Sequence, residues 1–132
     1  PVTSVPIEPL PEEAVFPSDP LAKLITLHAH HNVPDFAVTD ADGVYLGMVT
    51  GRDLRTALID REAIPLLLVA ELLRTDLPTL TPDESLDTVV DKMAETDIAS
   101  LCLVTGGSTP RPIGLITRTR VMGRYRQALE DS

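Results

Sequence analysis

A chain of 132 residues with 43% hydrophobic side chains carries enough apolar material for one domain or two small halves packed together. Two Phe, two Tyr and no Trp mean a core of Leu, Ile, Val and Ala; the single cysteine, Cys102, excludes an intrachain disulfide and a thiolate zinc cage, and its apolar strand reads as the home of a buried thiol. A net charge of −9 gives no electrostatic reason to approach a nucleic-acid backbone, and no apolar run nears the roughly 20 residues of a membrane-spanning helix.

Residues 1–20 hold six prolines, too many for a helix, and read as an extended lead-in. Leu21, Leu24 and Ile25 then recur at helical spacing; Ser18 or Asp19 is expected to cap that helix, Pro20 to open it, and Asn32 and Pro34 to end it. DFAVTD reads as a strand, Ala41-Asp42-Gly43 as a turn and VYLGMVT as the returning strand, with a helical stretch from Asp53 to about Asp60. Pro65 breaks the next run, REAIPLLLVAELL, into a short turn and an apolar helical segment over residues 66–73. That segment is expected to pack between halves or across a homodimer, since so much exposed leucine would be unusual in a monomer.

The same order then returns. TPDESLDTVVDKMAETD is expected to start a helix at Thr81 and Pro82, with Asp83 and Glu84 in its first turn and Leu86, Val89, Val90 and Met93 on one stripe. IASLCLVT follows as a strand, Gly106-Gly107-Ser108 as a longer loop, and PIGLITRTR as strand into helix. Leu21 answers Leu86, Leu24 answers Val89 and Val33 answers Ile98, at an offset of 65 that becomes 67 after the longer second loop. This is a duplicated helix-strand-strand-helix unit whose sheets are too small to be covered alone, so each half needs the other. The expected fold class is α/β, close to α+β, with segments 1–13 (lead-in), 14–60 (first repeat), 61–78 (connector), 79–129 (second repeat) and 130–132 (tail).

One position breaks the repeat. Gly47-Met48-Val49-Thr50-Gly51-Arg52-Asp53 ends on a carboxylate, whereas Gly114-Leu115-Ile116-Thr117-Arg118-Thr119-Arg120 ends on a guanidinium. Charge is uneven more widely: residues 111–132 carry five arginines and two acids, against 6 basic and 18 acidic residues before them. Those arginines either form a solvated helix face or converge on a small anion.

Over residues 14–129 the chain resembles tandem cystathionine-beta-synthase-type repeats, called CBS domains. The resemblance rests on the hydrophobic-Gly-hydrophobic-hydrophobic-Thr-x-x-Asp run at residues 46–53 and its altered copy at 113–120. It implies a pseudo-twofold pair of small sheets with packed helices, forming a non-catalytic regulatory module with two clefts that can take AMP, ADP or ATP. Carried over by position, Asp53 would accept from the ribose hydroxyls and Thr50 would donate to phosphate, with Val33, Pro34, Val15 and Phe16 walling the base. Both contacts are chemically sound: a carboxylate accepts from two hydroxyls, while a hydroxyl and helix-start amides donate to phosphate. In the second copy Thr117, Arg118 and Arg120 are the candidate contacts, and Arg120, with donors only, cannot hold a ribose as Asp53 can. Thr50 and Thr117 also suit plain helix capping, which keeps open a structural dimerisation or protein-interaction module without nucleotide sensing.

The inter-repeat connector, followed by RTDLPTLTPDESLDTVVDKM, is similar to that of the CBS pair of bacterial chloride-channel-family proteins. That implies a cytoplasmic homodimeric module, covalently linked to a membrane transport domain. No catalytic or metal assembly is expected. His28, His30 and His31 diverge on a helix and lack an HExxH pattern, the aspartates lack calcium-loop spacing, and there is no nucleophile elbow or phosphate loop.

Overall fold

Alternation of apolar residues builds two hairpins, each closed by a helix that starts at the residue after a threonine. The computed structural model describes residues 4–31 and 33–131. Asn32 lies outside this part, as do residues 1–3 of the lead-in and Ser132 of the tail, so the expected Asn32 helix stop is not described. Helix α1 (Leu21–His30) leads into strands β1 (Asp35–Thr39) and β2 (Tyr45–Thr50), then helix α2 (Gly51–Ala57). A 3-10 turn at Ile64–Leu66 and a one-turn helix α3 (Val69–Leu72) form the connector. Helix α4 (Leu86–Ala94), strands β3 (Ser100–Val104) and β4 (Pro112–Thr117), and helix α5 (Arg118–Glu130) complete the second repeat. The fold is two small antiparallel sheets with helices packed on each, as the duplicated pattern requires.

The hairpins show why their loops differ. In the first, the Asp40 carboxylate accepts from the N–H groups of Asp42 and Val44, and Gly43 takes φ 84°, a conformation costly for other residues. In the second, the loop from Thr105 is closed by Thr105 N–H to Arg111 O and Arg111 N–H to Thr105 Oγ1. The Arg111 guanidinium reaches back to the Asp42 carbonyl of the first hairpin.

Two helix starts differ from expectation. Pro20 precedes α1 as its cap residue with no side-chain cap; the Asp19 carboxylate instead accepts from Phe16 N–H at 2.8 Å and Lys23 Nζ at 2.8 Å. Burial opposes the charge on Asp19, but these hydrogen bonds and the Lys23 charge outweigh it and hold the carboxyl below its ordinary value. Helix α4 begins at Leu86, capped by Ser85, rather than at Thr81. Residues 81–84 form a turn of their own, with Glu84 N–H donating to Thr81 O and the Glu84 carboxylate accepting from Thr81 N–H.

The lead-in does more than run alongside the fold. Glu8 exchanges two backbone hydrogen bonds with Leu115, at 2.8 and 2.9 Å, and so forms the outer edge of the second sheet. Val5, 1% exposed, packs into the second half's core, a burial worth about 1.5–2 kcal/mol. Arg74, at the end of the connector, makes the same paired contact with Met48 in the first sheet. Each segment that precedes a repeat therefore edges the sheet of the other repeat.

This exchange explains the two signature glycines. A Cβ on Gly47 would stand 2.2 Å from the Arg74 carbonyl oxygen, and one on Gly114 would stand 2.4 Å from Ile7 Cγ2 and 2.8 Å from Glu8 O. Close backbone approach, not turn geometry, excludes a side chain at both places.

The connector divides its leucines. Val69 is fully buried and Leu67, Leu72 and Leu73 lean on the first core, whereas Leu66 is 81% exposed. Packing of residues 66–73 is thus mainly onto their own first half. Cys102 is buried, and burial pushes its thiol up to about 12, as a buried thiol requires.

Candidate functional site

The ends of β2 and β4 face each other across the pseudo-twofold axis, and so do the helices that follow them. Thr50 Oγ1 accepts from Asp53 N–H at 3.1 Å, and Thr117 Oγ1 accepts from Arg120 N–H at 3.4 Å. Both threonines are therefore helix caps, a role typically worth about 1 kcal/mol. A hydroxyl that accepts in this way still has its proton to donate. Thr50, however, is only 1% exposed, while Thr117 is more open.

Between the two helix starts lies a cavity of about 290 Å3 that Thr50, Arg52, Arg55, Asp97 and Thr119 border. Asp35 closes its floor: its carboxylate accepts from Gly51 N–H at 2.9 Å and from Ser100 Oγ at 2.5 Å. Asp35 and Ser100 occupy equivalent positions in the two repeats, so a buried, charge-assisted hydrogen bond joins the halves at their axis. Arg52 pairs with Asp97 across the cavity mouth at 2.5 Å, and this bond and charge hold the Asp97 carboxyl low.

The two signature turns beside this centre carry exchanged charges; Arg120 lines a cleft with Thr117, whereas Asp53 borders neither that cleft nor the central cavity. Asp53, on the first turn of α2, is half-buried and its carboxylate has no hydrogen bond or ion pair among the described residues. Its equivalent, Arg120, lies 3.9 Å from Glu8 Oε1. Glu8 and Arg74 are themselves equivalent edge residues of opposite sign, since they pair with Leu115 and Met48, each next to a signature glycine. Arg74 turns its Nε to Asp76 at 3.8 Å and borders a cavity of about 490 Å3 with Thr96 and Asp97.

The sequence-derived residues separate into three groups. Val33 and Pro34, expected beside Thr50 and Asp53, line instead the cleft of Thr117 and Arg120, about 400 Å3 in volume; Pro34 alone also reaches the central cavity. The reason is the twofold arrangement, which sets the end of each repeat's first helix against the signature turn of the other. Ile98, the equivalent of Val33, borders the cavity of Thr50, and Pro34 and its equivalent Ala99 line both cavities. Val15 and Phe16 join neither cleft. Val15 lines a separate cavity with Leu10, Phe36 and Ala37, and Phe16 packs its ring 5.7 Å from Lys23 Nζ.

Arg118 is also committed elsewhere. Its Nε donates to Ile98 O at 3.1 Å, and its Nη2 donates to Met93 O at 2.8 Å and Thr96 O at 2.5 Å, closing the end of α4. Lone carbonyls at a helix end need such donors. Arg118 thus borders the central cavity while its guanidinium clamps the chain at and after the end of α4. His28 packs edge-on against Phe36, with centroids 6.2 Å apart; among the described residues no cluster of metal-ligating side chains forms.

Glu8 and Arg74 escaped sequence reasoning because each enters through one bridge to a distant strand. One signal was present: the carboxylate-to-guanidinium change from residue 53 to 120 is matched, in reverse, from Arg74 to Glu8.

A pair of half-sheets with exchanged edges and twin clefts on an axis defines a tandem regulatory-repeat module. The CBS domain family model matches residues 2–60 and 69–126, and the chain belongs to that family. Solved structures of low sequence identity share the fold. CBSX2 in complex with AMP has 20% identity, a TM-score of 0.70, and covers 92% of this chain and 93% of its own. The CBS domain pair of protein MJ0100, in complex with 5-methylthioadenosine and S-adenosyl-L-methionine, has 19% identity, covers 93% and 99%, and has a TM-score of 0.70. A CBS domain-containing protein of unknown function from Bacillus anthracis has 15% identity, covers 87% and 84%, and has a TM-score of 0.74. No curated protein is similar enough in sequence to match. CBS pairs are non-catalytic regulatory modules, and this chain is one of them. No helix among the described residues is long and apolar enough to cross a membrane.

Proposed function

We propose that this module senses an adenosine nucleotide in one preferred cleft, with Asp53 accepting from the ribose hydroxyls. The observation that carries this reading is the half-buried Asp53 carboxylate, which has no protein partner among the described residues and stands in the first turn of α2, the helix whose Arg52 and Arg55 line the central cavity. A carboxylate in that position gains by accepting two hydroxyls from a ligand. The Thr50 hydroxyl proton and the Arg55 guanidinium offer donors for phosphate at the cavity. The AMP and S-adenosyl-L-methionine complexes of fold relatives support the class of ligand. Calorimetric titration with AMP, ADP, ATP and adenosine, with magnesium varied separately, tests it. The D53A variant is expected to lose ~1–3 kcal/mol, or about 5- to 150-fold, of affinity for each ribose-bearing ligand. T50A should weaken mainly the phosphate-bearing ones. No heat from the folded wild type with nucleotide in the millimolar range would reject sensing, and unchanged binding by D53A would reject the site.

A second reading has its own observation. Ile59 is 85% exposed and Leu66 81% exposed, and both capping threonines have structural work, which suits a homodimerisation module that needs no nucleotide. Sedimentation velocity over a concentration series decides whether the chain dimerises; an invariant monomer above micromolar concentration rejects it. The connector's likeness to chloride-channel-family proteins extends our proposal to regulation of a linked anion-transport domain. The parent open reading frame tests that extension: an encoded membrane transport domain supports it, and a soluble enzyme rejects it.

A further inference from the structure

The second half fills with its own side chain a space that the first half leaves open. A cavity of about 330 Å3 lies under the lead-in, where it crosses from its bridge with Leu115 to Val15, whose carbonyl accepts from Thr39 N–H. Leu10, Val15, Phe36, Ala37, Thr39 and Pro112 line it. The repeat offsets of 65 and 67 make Pro112 the equivalent of Tyr45, Ala37 of Cys102 and Val15 of Leu80. In the second half those three pack together. Tyr45 leans on the core that contains Leu80 and Cys102, and burial, then the neighbouring Cys102, raises its hydroxyl above the ordinary value. Around the same point the first half has proline for tyrosine, alanine for cysteine and valine for leucine. Phe36 is larger than its counterpart, Leu101, yet the space beside it stays open.

This apolar lining contains one idle polar group. Thr39 is only 8% exposed, and its hydroxyl has no hydrogen-bond partner among the described residues. A buried hydroxyl in that condition gains from a ligand that supplies the missing bond. At the mouth stand Glu12, Glu13 and Arg111, two negative charges against one, and Arg111 Nη1 already donates to the Asp42 carbonyl. That rim opposes an anion. An apolar cavity of roughly 150 Å3 is enough to take benzene, so a substituted ring has room here.

We propose that this cavity binds a neutral single-ring phenol, set in the first half where the Tyr45 side chain sits in the second. Its ring lies against Phe36, Val15 and Pro112, and its hydroxyl shares a hydrogen bond with that of Thr39. The site borders none of Thr50, Asp53, Thr117 and Arg120, so it is separate from nucleotide binding. Because the lead-in and both hairpins contribute to the lining, an occupant holds the three together.

Nitrogen-15 amide spectra titrated with p-cresol, the tyrosine side chain as a free molecule, test it, with toluene and para-hydroxybenzoate for comparison. The p-cresol titration is expected to shift the amides of Val15, Ala37, Thr39 and Gly43 saturably. Toluene lacks the hydroxyl and para-hydroxybenzoate adds a charge, so each should bind at least about fivefold more weakly. A37L fills the cavity and should remove the shifts. T39V keeps the size of its side chain, so it should fold even if A37L does not. It should weaken p-cresol about fivefold and leave toluene unchanged. No saturable shift at roughly 10 mM p-cresol would overturn the proposal, as would a folded A37L that binds unchanged. Toluene binding as tightly as p-cresol, or a T39V without effect, would also overturn it, by showing a void that takes any apolar ring. Tighter binding of para-hydroxybenzoate would overturn the neutral ligand, by giving Arg111 the leading part.

Discussion

The first signature turn carries a carboxylate, Asp53, without a partner among the described residues, whereas the second carries a guanidinium, Arg120, facing the Glu8 carboxylate. Backbone geometry in the two is nearly the same: a threonine cap, a glycine under a crossing edge, and a helix that starts at the axis. Charge changes sign at two equivalent pairs, Asp53 against Arg120 and Arg74 against Glu8. Duplication therefore fixed the folding unit while leaving charge free to change sign, provided that edge and turn changed together. A lone switch to Arg120 opposite an arginine at position 8 would have set like charges side by side.

Removing one half tests the comparison most severely. Residues 1–74 alone are expected to lose cooperative unfolding and to associate, because the first sheet keeps its Arg74 edge but loses the Asp35–Ser100 bond and the surface that covers it. Denaturant unfolding and size-exclusion chromatography of that fragment decide; a monomer with a cooperative transition would show that the halves are independent.

Next come the two glycines, which look equivalent in sequence but meet different obstacles. G47A drives a methyl to 2.2 Å from the Arg74 carbonyl oxygen, whereas G114A meets the Ile7 side chain, which can rotate away, and the Glu8 carbonyl oxygen at 2.8 Å, which needs a smaller shift. G47A should cost about 3 kcal/mol and G114A nearer 1 kcal/mol in urea unfolding. Equal costs would mean that the edges give way equally.

Arg118 and Gly51 are a further unequal pair, since each follows a capping threonine. R118A should destabilise by about 2 kcal/mol, as the carbonyls of Thr96 and Ile98 after α4 lose the guanidinium donor and that of Met93 loses one of its donors. Its effect should appear in thermal unfolding and leave nucleotide affinity unchanged; a large loss of affinity would return Arg118 to the ligand site.

The smallest effect is the acid limb of the first half. The folded Asp19 carboxyl titrates below its ordinary 3.8, so its contribution is complete above that value and fades as pH falls through the lower, folded one. D19N should flatten stability against pH in that window by less than about 1 kcal/mol. An unchanged acid limb in D19N would assign it to other carboxylates, such as Asp97.

Much of this was legible in the sequence, and the rest was hidden for physical reasons. The offset of 65 and then 67 located both hairpins, and the signature run located both caps. Helix starts were less legible: Pro20 and Pro82 favour a helix start in isolation, yet tertiary bonds gave Asp19 to Phe16 and Lys23 and moved the α4 cap to Ser85. The lysine locks show the same limit. Lys23 and Lys92 both donate to the carbonyl of an equivalent residue, Ala14 or Thr79, but from different turns of their helices, so no alignment of the repeats would pair them. Pro34 does reach the cavity of Thr50, but Val33 and Val15 line other cavities, because local sequence says which residues are apolar and only the tertiary arrangement says which turn they face.

The exchanged edges also bear on the order in which the chain closes. Arg74 reaches Met48 across a loop of roughly 26 residues, whereas Glu8 reaches Leu115 across roughly 107, an added closure entropy of about 1.2 kcal/mol at the same bond count. The Leu115 pairing also has to await synthesis or collapse of almost the whole chain. We expect the first sheet to acquire its border early and the second to be sealed last by the amino-terminal segment. Pulsed hydrogen exchange during refolding would then protect the Met48 amide before that of Leu115, and simultaneous protection would refute the order. The Glu8–Arg120 cleft would accordingly be the final surface to mature, a late-closing door in a protein whose other door is already framed.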